Sequence, residues 1–250
     1  MKGLLVSDIH YRLKQLDWLI SVAANFDLVV IAGDHLDVAS SVAVDAQVVV
    51  TMKYLQRLHA AGPLVVSSGN HDLIGRNGAG EKMATWMSKV RRLGIPSDGQ
   101  SLVLDDTLVT VCPWWDGPAA RDDVGRQLAA DAPRRPARWV WVYHSPPAGS
   151  PTSWNGTRHY GDADLSGWIE TYRPDLVLCG HIHQSPFRSG GSWIDRVGDS
   201  WVLNAGCQIG PIPAHVVFDT EACEAKWFSL AGSERARLDA AEARREPLAE

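Results

Sequence analysis

Five times along this chain a short apolar run gives way to a cluster of Asp, Asn or His. Leu4-Leu5-Val6 leads to Asp8-Ile9-His10, Leu28 to Ala32 leads to Gly33-Asp34-His35-Leu36-Asp37, and Leu64-Val65-Val66 leads to Gly69-Asn70-His71-Asp72. Further on, Arg138 to Tyr143 delivers His144, and Leu176 to Cys179 delivers Gly180-His181-Ile182-His183. Runs this short and this apolar read as strands buried on both faces. Helical periodicity follows the first three, over Leu13 to Asn25, Val42 to Ala61 and about Glu81 to Leu93. Parallel strands joined by helical crossovers are therefore expected, and in such sheets ligands gather beyond the carboxyl ends of the strands. All five polar clusters would then converge on one site.

The middle of the chain changes character. Leu102 to Leu104 and Leu108 to Val111 flank Asp105-Asp106 as a hairpin, and a polar helix follows over Arg121 to Ala130. Trp201 to Leu203, Ala214 to Phe218 and Ala225 to Phe228 are expected to form a closing antiparallel set. Two mixed sheets with helices outside account for this order, an α/β fold arranged as a four-layer α/β/β/α sandwich with the site at the carboxyl ends of its strands. One domain is expected over residues 1–230. The stretch from Ser233 to Glu250, rich in Ala, Glu and Arg, reads as a terminal amphipathic helix fraying into a tail over 231–250. The loop of note runs from Ser145 to Gly161.

At 250 residues and 45% hydrophobic the chain can bury one substantial core. A net charge of −5 carries no basic excess, which argues against an extended grip on nucleic acid and favours a small substrate. Cys112, Cys179, Cys207 and Cys223 lie in or beside apolar runs without a C-x-x-C pair, so reduced thiols in a cytoplasmic compartment are expected. The first strand starts at Lys2, leaving no room for a signal peptide, and the apolar run from Val42 to Val50 is interrupted by Asp45 and Gln47. A soluble protein with no membrane partner, monomer or homodimer, is the expectation.

Residues two apart on an extended segment point the same way, so Asp8 with His10, and His181 with His183, can each face one cavity. Glycine before Asp34, Asn70 and His181 lets the backbone turn sharply out of the strand. Carboxylate, amide and imidazole without thiolate suit borderline divalent ions. Singly these motifs say little: Asp-x-His can be a helix cap, and Gly69-Asn70-His71-Asp72 is also a good turn sequence. Jointly and in this order, a chance structural origin would require five strand ends to mimic one metal site.

From Asp8 to about Cys207 this pattern resembles the calcineurin-like metallophosphoesterases. The resemblance implies two divalent metal ions, Mn foremost among Mn, Fe, Zn and Co. One would be held by Asp8, His10, Asp34 and His183, the other by Asp34, Asn70, His144 and His181, with Asp34 bridging. It also implies a phosphoesterase in which a hydroxide bridging the ions attacks phosphorus in line. His71 would stabilise the transition state and protonate the leaving oxygen. Asp37 matches the carboxylate that orients that histidine in relatives. Asp72 reads equally as a second hydrogen-bond acceptor near the site or as a turn cap, and His35, where the family carries an apolar residue, should point away from the metals. Asn204-Ala205-Gly206-Cys207 resembles the family's Asn-x-Gly-Ser stretch, with Cys207 for serine.

Eleven tryptophans is a high count. Trp114 and Trp115 after a strand end, with Trp154 and Tyr160 beyond His144, are candidate walls of a substrate pocket, and Arg158 and His159 are candidate phosphate contacts. The favoured activity is hydrolysis of a small phosphodiester or nucleotide. A phosphomonoesterase or phosphoprotein phosphatase is the alternative, although Asp37-Val38-Ala39 lacks the Arg-Gly of the protein phosphatases and Asn-His-Asp replaces their Asn-His-Glu. A metal-binding scaffold without catalysis is the remaining alternative, disfavoured because every expected ligand is present.

Overall fold

The computed structural model describes residues 1–248. Strand and helix alternate first: β1 (Lys2–Val6), α1 (Leu13–Val22), β2 (Leu28–Ala32), α2 (Val44–Ala61) and β3 (Leu64–Ser67). A small hairpin, β4 (Gly75–Arg76) and β5 (Lys82–Met83), precedes α3 (Met87–Arg92), β6 (Gln100–Leu104) and β7 (Thr107–Val111). Next come α4 (Pro118–Asp131), β8 (Arg138–Val142), α5 (Ala163–Tyr172) and β9 (Leu176–Cys179). The chain closes through β10 (Ile194–Val197), β11 (Ser200–Asn204), β12 (His215–Asp219), β13 (Glu224–Ser229), β14 (Gly232–Arg237) and β15 (Glu246–Pro247).

Two large mixed sheets result. One has the order β15-β14-β13-β12-β1-β2-β3, the other β10-β11-β9-β8-β7-β6. β1, β2 and β3 run parallel, as do β7, β8, β9 and β11. Alternating side chains of the buried strands feed different layers. Leu5, Val30, Val65, Val109, Val140, Leu178 and Leu203 fill the space between the sheets. Leu4, Val29, Ile31 and Val66 meet Leu16, Leu55 and Val90 of α1, α2 and α3 on one outer face. Trp139, Trp141 and Val177 meet Val124, Leu128, Leu165 and Ile169 of α4 and α5 on the other. This is the expected four-layer arrangement, and it explains why the central strands are apolar without alternation. Each fully buried Val or Leu contributes roughly 1.5–3 kcal/mol.

Three expectations need correction. Trp201 to Leu203 does not join an antiparallel set with the later strands; β11 is buried along its length and pairs parallel with β9, its hairpin partner being β10. Ser233 to Arg237 is strand, not helix. Ala236 is its one buried residue, so intrinsic helix propensity yields to pairing with β13, and Trp193 Nε1 donates to Glu234 Oε2 at 2.6 Å. Residues 249 and 250 of that predicted tail lie outside the described residues. Finally, the helix expected from Glu81 begins only at Met87, because Lys82 and Met83 pair with Gly75 and Arg76. Glu81 instead accepts from Ala119 N and Ala120 N, each at 2.8 Å, covering free amides of the first turn of α4.

Candidate metal centre

The loops leaving β1 and β2 are laced together by backbone bonds, Asp8 N to Gly33 O at 3.1 Å and His10 N to Asp34 O at 3.0 Å. Asp8, His10, Asp34 and His181 all have positive φ, at 56°, 45°, 55° and 67°. The side chains of Asp8 and His10 thus share a cavity through left-handed turns rather than through the extended geometry expected from their spacing. Such conformations cost roughly 1–3 kcal/mol each and persist where the surroundings hold them. Two glycines are required for close approach more than for turning. A Cβ on Gly69 would stand 2.6 Å from Asp34 N and 2.7 Å from His144 Nε2, and one on Gly180 would stand 2.6 Å from Asp8 Oδ2.

Ligand atoms of Asp8, His10, Asp34 and His183 lie within 4.8 Å of one another, and so do those of Asp34, His144 and His181. Asp34 belongs to both groups. His183 Nε2 is 3.0 Å from Asp8 Oδ1 and 3.0 Å from His10 Nε2, while His144 Nε2 is 3.3 Å from Asp34 Oδ2. Two backbone carbonyls set the rings: His144 Nδ1 donates to Ala32 O at 2.6 Å, and His10 Nδ1 faces Leu36 O at 3.3 Å. A proton fixed on Nδ1 leaves the Nε2 lone pair of a neutral imidazole directed inward.

Burial alone would raise the carboxyl of Asp8, but His183 and His144 outweigh it and hold it below its ordinary value. Asp34 is likewise pressed upward by burial, and His144 outweighs this and holds it well below its ordinary value. Burial opposes charge on His144, yet Asp34 and Asp8 lift it to about 9, whereas burial and the neighbouring His144 take His181 down to about 4. The carboxylates thus draw protons onto some imidazoles, and a cation would take the place of those protons. His144 Nε2 and Asn70 Oδ1 are buried without a hydrogen-bond partner among the described residues. Unsatisfied atoms of this kind, beside a shared carboxylate and further imidazoles, fit oxygen- and nitrogen-bound divalent ions.

A supporting layer surrounds these groups. Asp72, fully buried, accepts from His35 N at 3.1 Å, Leu36 N at 3.1 Å and Gly69 N at 2.9 Å, tying the loop after β2 to the loop after β3. His35 points away from the cluster, with Nε2 bonded to Ser67 O at 3.0 Å and its ring against Trp86. His71 stands with Nε2 3.9 Å from Asp34 Oδ2, its backbone N donating to Asp34 Oδ1 at 2.8 Å. The expectation that Asp37 orients it is not met. Asp37 Oδ1 accepts from Ala39 N at 2.9 Å in its own turn, and His71 Nδ1 has no partner among the described residues.

Cavities open at each end of the cluster. The larger, of about 630 Å³, is lined by His144 and His181 together with Trp114, Trp115, Arg158, His159 and Tyr160, five of the six residues expected at a pocket. Trp114 lies against both His181 and His144, with ring centroids 5.0 and 5.6 Å apart. Trp154 is the exception; it packs on His159 and donates Nε1 to Ser189 O at 3.0 Å, supporting the loop from behind. A second cavity of about 380 Å³ contains His183, Arg12, Arg188 and Cys207. There Arg12 reaches Cys207 Sγ and Asp8 O, each at 3.2 Å.

Asp98 was not singled out from the sequence. Its Oδ1 accepts from Ser68 N at 2.7 Å, Ser68 Oγ accepts from Trp114 N at 3.0 Å, and burial pushes the Asp98 carboxyl up to about 7. Pro96-Ser97-Asp98-Gly99 looks like an ordinary turn, and only its burial marks the carboxylate.

The family model of the calcineurin-like phosphoesterases matches residues 1–185. No curated protein matches the sequence significantly. Among solved structures, TT1561 of Thermus thermophilus is similar at a TM-score of 0.60 and 14% identity, over 95% of this chain and 98% of that one. Purple acid phosphatase PPD1 from yellow lupin (Lupinus luteus) seeds is similar at 0.54 and 12% identity, over 98% of this chain and 52% of that one. At these identities the likeness is one of fold. Among the described residues, no helix is long and apolar enough to cross a membrane.

Proposed function

The chain belongs to the calcineurin-like phosphoesterases, hydrolases of phosphoric esters, and from that premise we propose that it cleaves small phosphodiesters using two divalent metal ions. Asp8, His10, Asp34 and His183 would hold one ion, and Asp34, Asn70, His144 and His181 the other. When bound, such a pair lowers the pKa of a shared water and clamps phosphate oxygens for in-line displacement.

The chain's own groups do the rest. Asp34, shared by both ligand groups, fixes their spacing. His71, part-exposed beside Asp34, would give a proton to the departing ester oxygen. Arg12 sits in the cavity that contains His183 and supplies positive charge there.

One observation favours a diester over a monoester: separate cavities lie at the two ends of the ligand cluster. A monoester has one organic arm and a diester has two. The larger volume, about 630 Å³, falls in the range of small-molecule sites.

The test is turnover of bis(p-nitrophenyl) phosphate beside p-nitrophenyl phosphate by metal-stripped protein reloaded with Mn, Zn, Fe or Co. Metal-dependent hydrolysis of the diester, lost in Asp34→Asn, is expected. Preference for the monoester would refute the diester reading in favour of a phosphomonoesterase, and absence of turnover with metals bound would point to a scaffold.

A further inference from the structure

Resting on that diester reading, we propose that the 630 Å³ cavity is a nucleobase subsite that selects bases carrying an exocyclic amine, with Asp164 as the residue that reads the amine.

The walls come from two separate segments. Trp114 and Trp115 follow β7, and Arg158, His159 and Tyr160 lie on the loop between β8 and α5. Arg158 stacks on the Tyr160 ring with its guanidinium carbon 3.9 Å from the centroid, and among the described residues it pairs with no carboxylate. Indole faces, a phenol ring and a free guanidinium plane are the surfaces on which a flat heteroaromatic ring stacks.

The lining carries both signs of charge: Arg158 on one hand and the carboxylates of Asp162 and Asp164 on the other, beside the ligand candidates His144 and His181. Asp162 is fully engaged, accepting from Tyr143 Oη, Asp164 N and Leu165 N. The Asp164 carboxylate is 41% exposed, and Arg121, its nearest cation, is 3.9 Å away, beyond hydrogen-bond reach. Asp164 is therefore a cavity-lining acceptor with no hydrogen-bonded donor among the described residues, available to the edge of a stacked base. Two carboxylates in the lining disfavour a second anionic group and favour a neutral ring bearing N–H donors.

The loop is already formed. Asn155 Oδ1 accepts from Thr157 N and Arg158 N, both at 2.9 Å, and Tyr160 N donates to Ser153 O at 2.8 Å. Little ordering is needed when a base enters.

The experiment keeps the leaving group constant and varies the other arm: methyl, thymidine 5′-, cytidine 5′- and adenosine 5′-(p-nitrophenyl phosphate), with metal-loaded protein. We expect kcat/KM for the adenosine and cytidine esters to exceed that of the methyl ester by about tenfold or more, with thymidine between. Asp164→Ala should bring the adenosine-to-thymidine ratio to about one, a readout that general damage to the fold would not move. Equal turnover of methyl and nucleoside esters overturns the subsite and leaves the diester reading standing. If no ester is turned over, the diester reading fails, and calorimetry with adenosine 5′-monophosphate against methyl phosphate decides the subsite alone: about tenfold tighter nucleotide binding supports it, and equal affinity overturns it.

Discussion

Asp98 offers a quantitative test of how the site's supporting layer is built. The folded protein holds its carboxyl at about 7 against an ordinary value of 3.8, chiefly because burial penalises the anion more than the bonds from Ser68 favour it. A carboxyl raised on folding stabilises the fold when protonated. The contribution is fully present below 3.8 and is lost as pH rises through about 7. At pH 5 it amounts to about 3 kcal/mol and at pH 7.5 it is nearly gone, a loss of about 2–3 kcal/mol between the two. Asp98→Asn keeps an oxygen to accept from Ser68 N but cannot ionise. Urea unfolding of wild type and variant, both stripped of metal so that metal uptake does not vary with pH, isolates the effect. Wild type should lose about 2–3 kcal/mol more than the variant on going from pH 5 to pH 7.5. Compared at urea concentrations near the midpoints, where no long extrapolation enters, pH-dependent losses agreeing to within about 0.5 kcal/mol would refute the reasoning.

Other substitutions probe particular contacts. Asp37→Asn should leave kcat within about threefold of wild type, because its carboxylate caps Ala39 N; a fall of about 10–100-fold in steady-state assays would restore it as the partner of His71. Gly69→Ala puts a methyl 2.7 Å from His144 Nε2, so elemental analysis should show metal lost from the His144 group, with thermal stability lowered by about 1–3 kcal/mol. Full metal content in that variant would show that the loops separate easily. Asp72→Ala leaves three backbone amides without their acceptor and should cost about 3–5 kcal/mol in denaturant titration; a cost under about 1 kcal/mol would mean that water enters in its place.

The sequence carried the candidate ligand groups in readable form because each of these residues follows a strand buried on both faces, where an Asp, Asn or His stands out against the apolar run before it. The three core layers were legible for the same reason. What escaped was set by backbone and tertiary context. No side-chain pattern marks Ala32 O and Leu36 O as the acceptors that turn His144 and His10, nor the left-handed turns at Asp8 and His10. α5 was missed because it buries only Leu165 and Ile169 and carries Gly167 midway. At Ser233 to Arg237 helix-favouring composition misled, since cross-strand pairing with β13 decides the conformation. Asp37 shows the limit of resemblance: the residue is in its motif position, but its carboxylate is turned to its own loop.

Elemental analysis of the reconstituted protein after gel filtration tests the shared-carboxylate metal centre most directly. Wild type should retain about two divalent ions per chain, His144→Ala and His10→Ala about one each, and Asp34→Asn fewer than either. A wild-type protein that holds one ion or none, or a His144→Ala variant that keeps both, would contradict the arrangement in which Asp34 joins the two ligand groups.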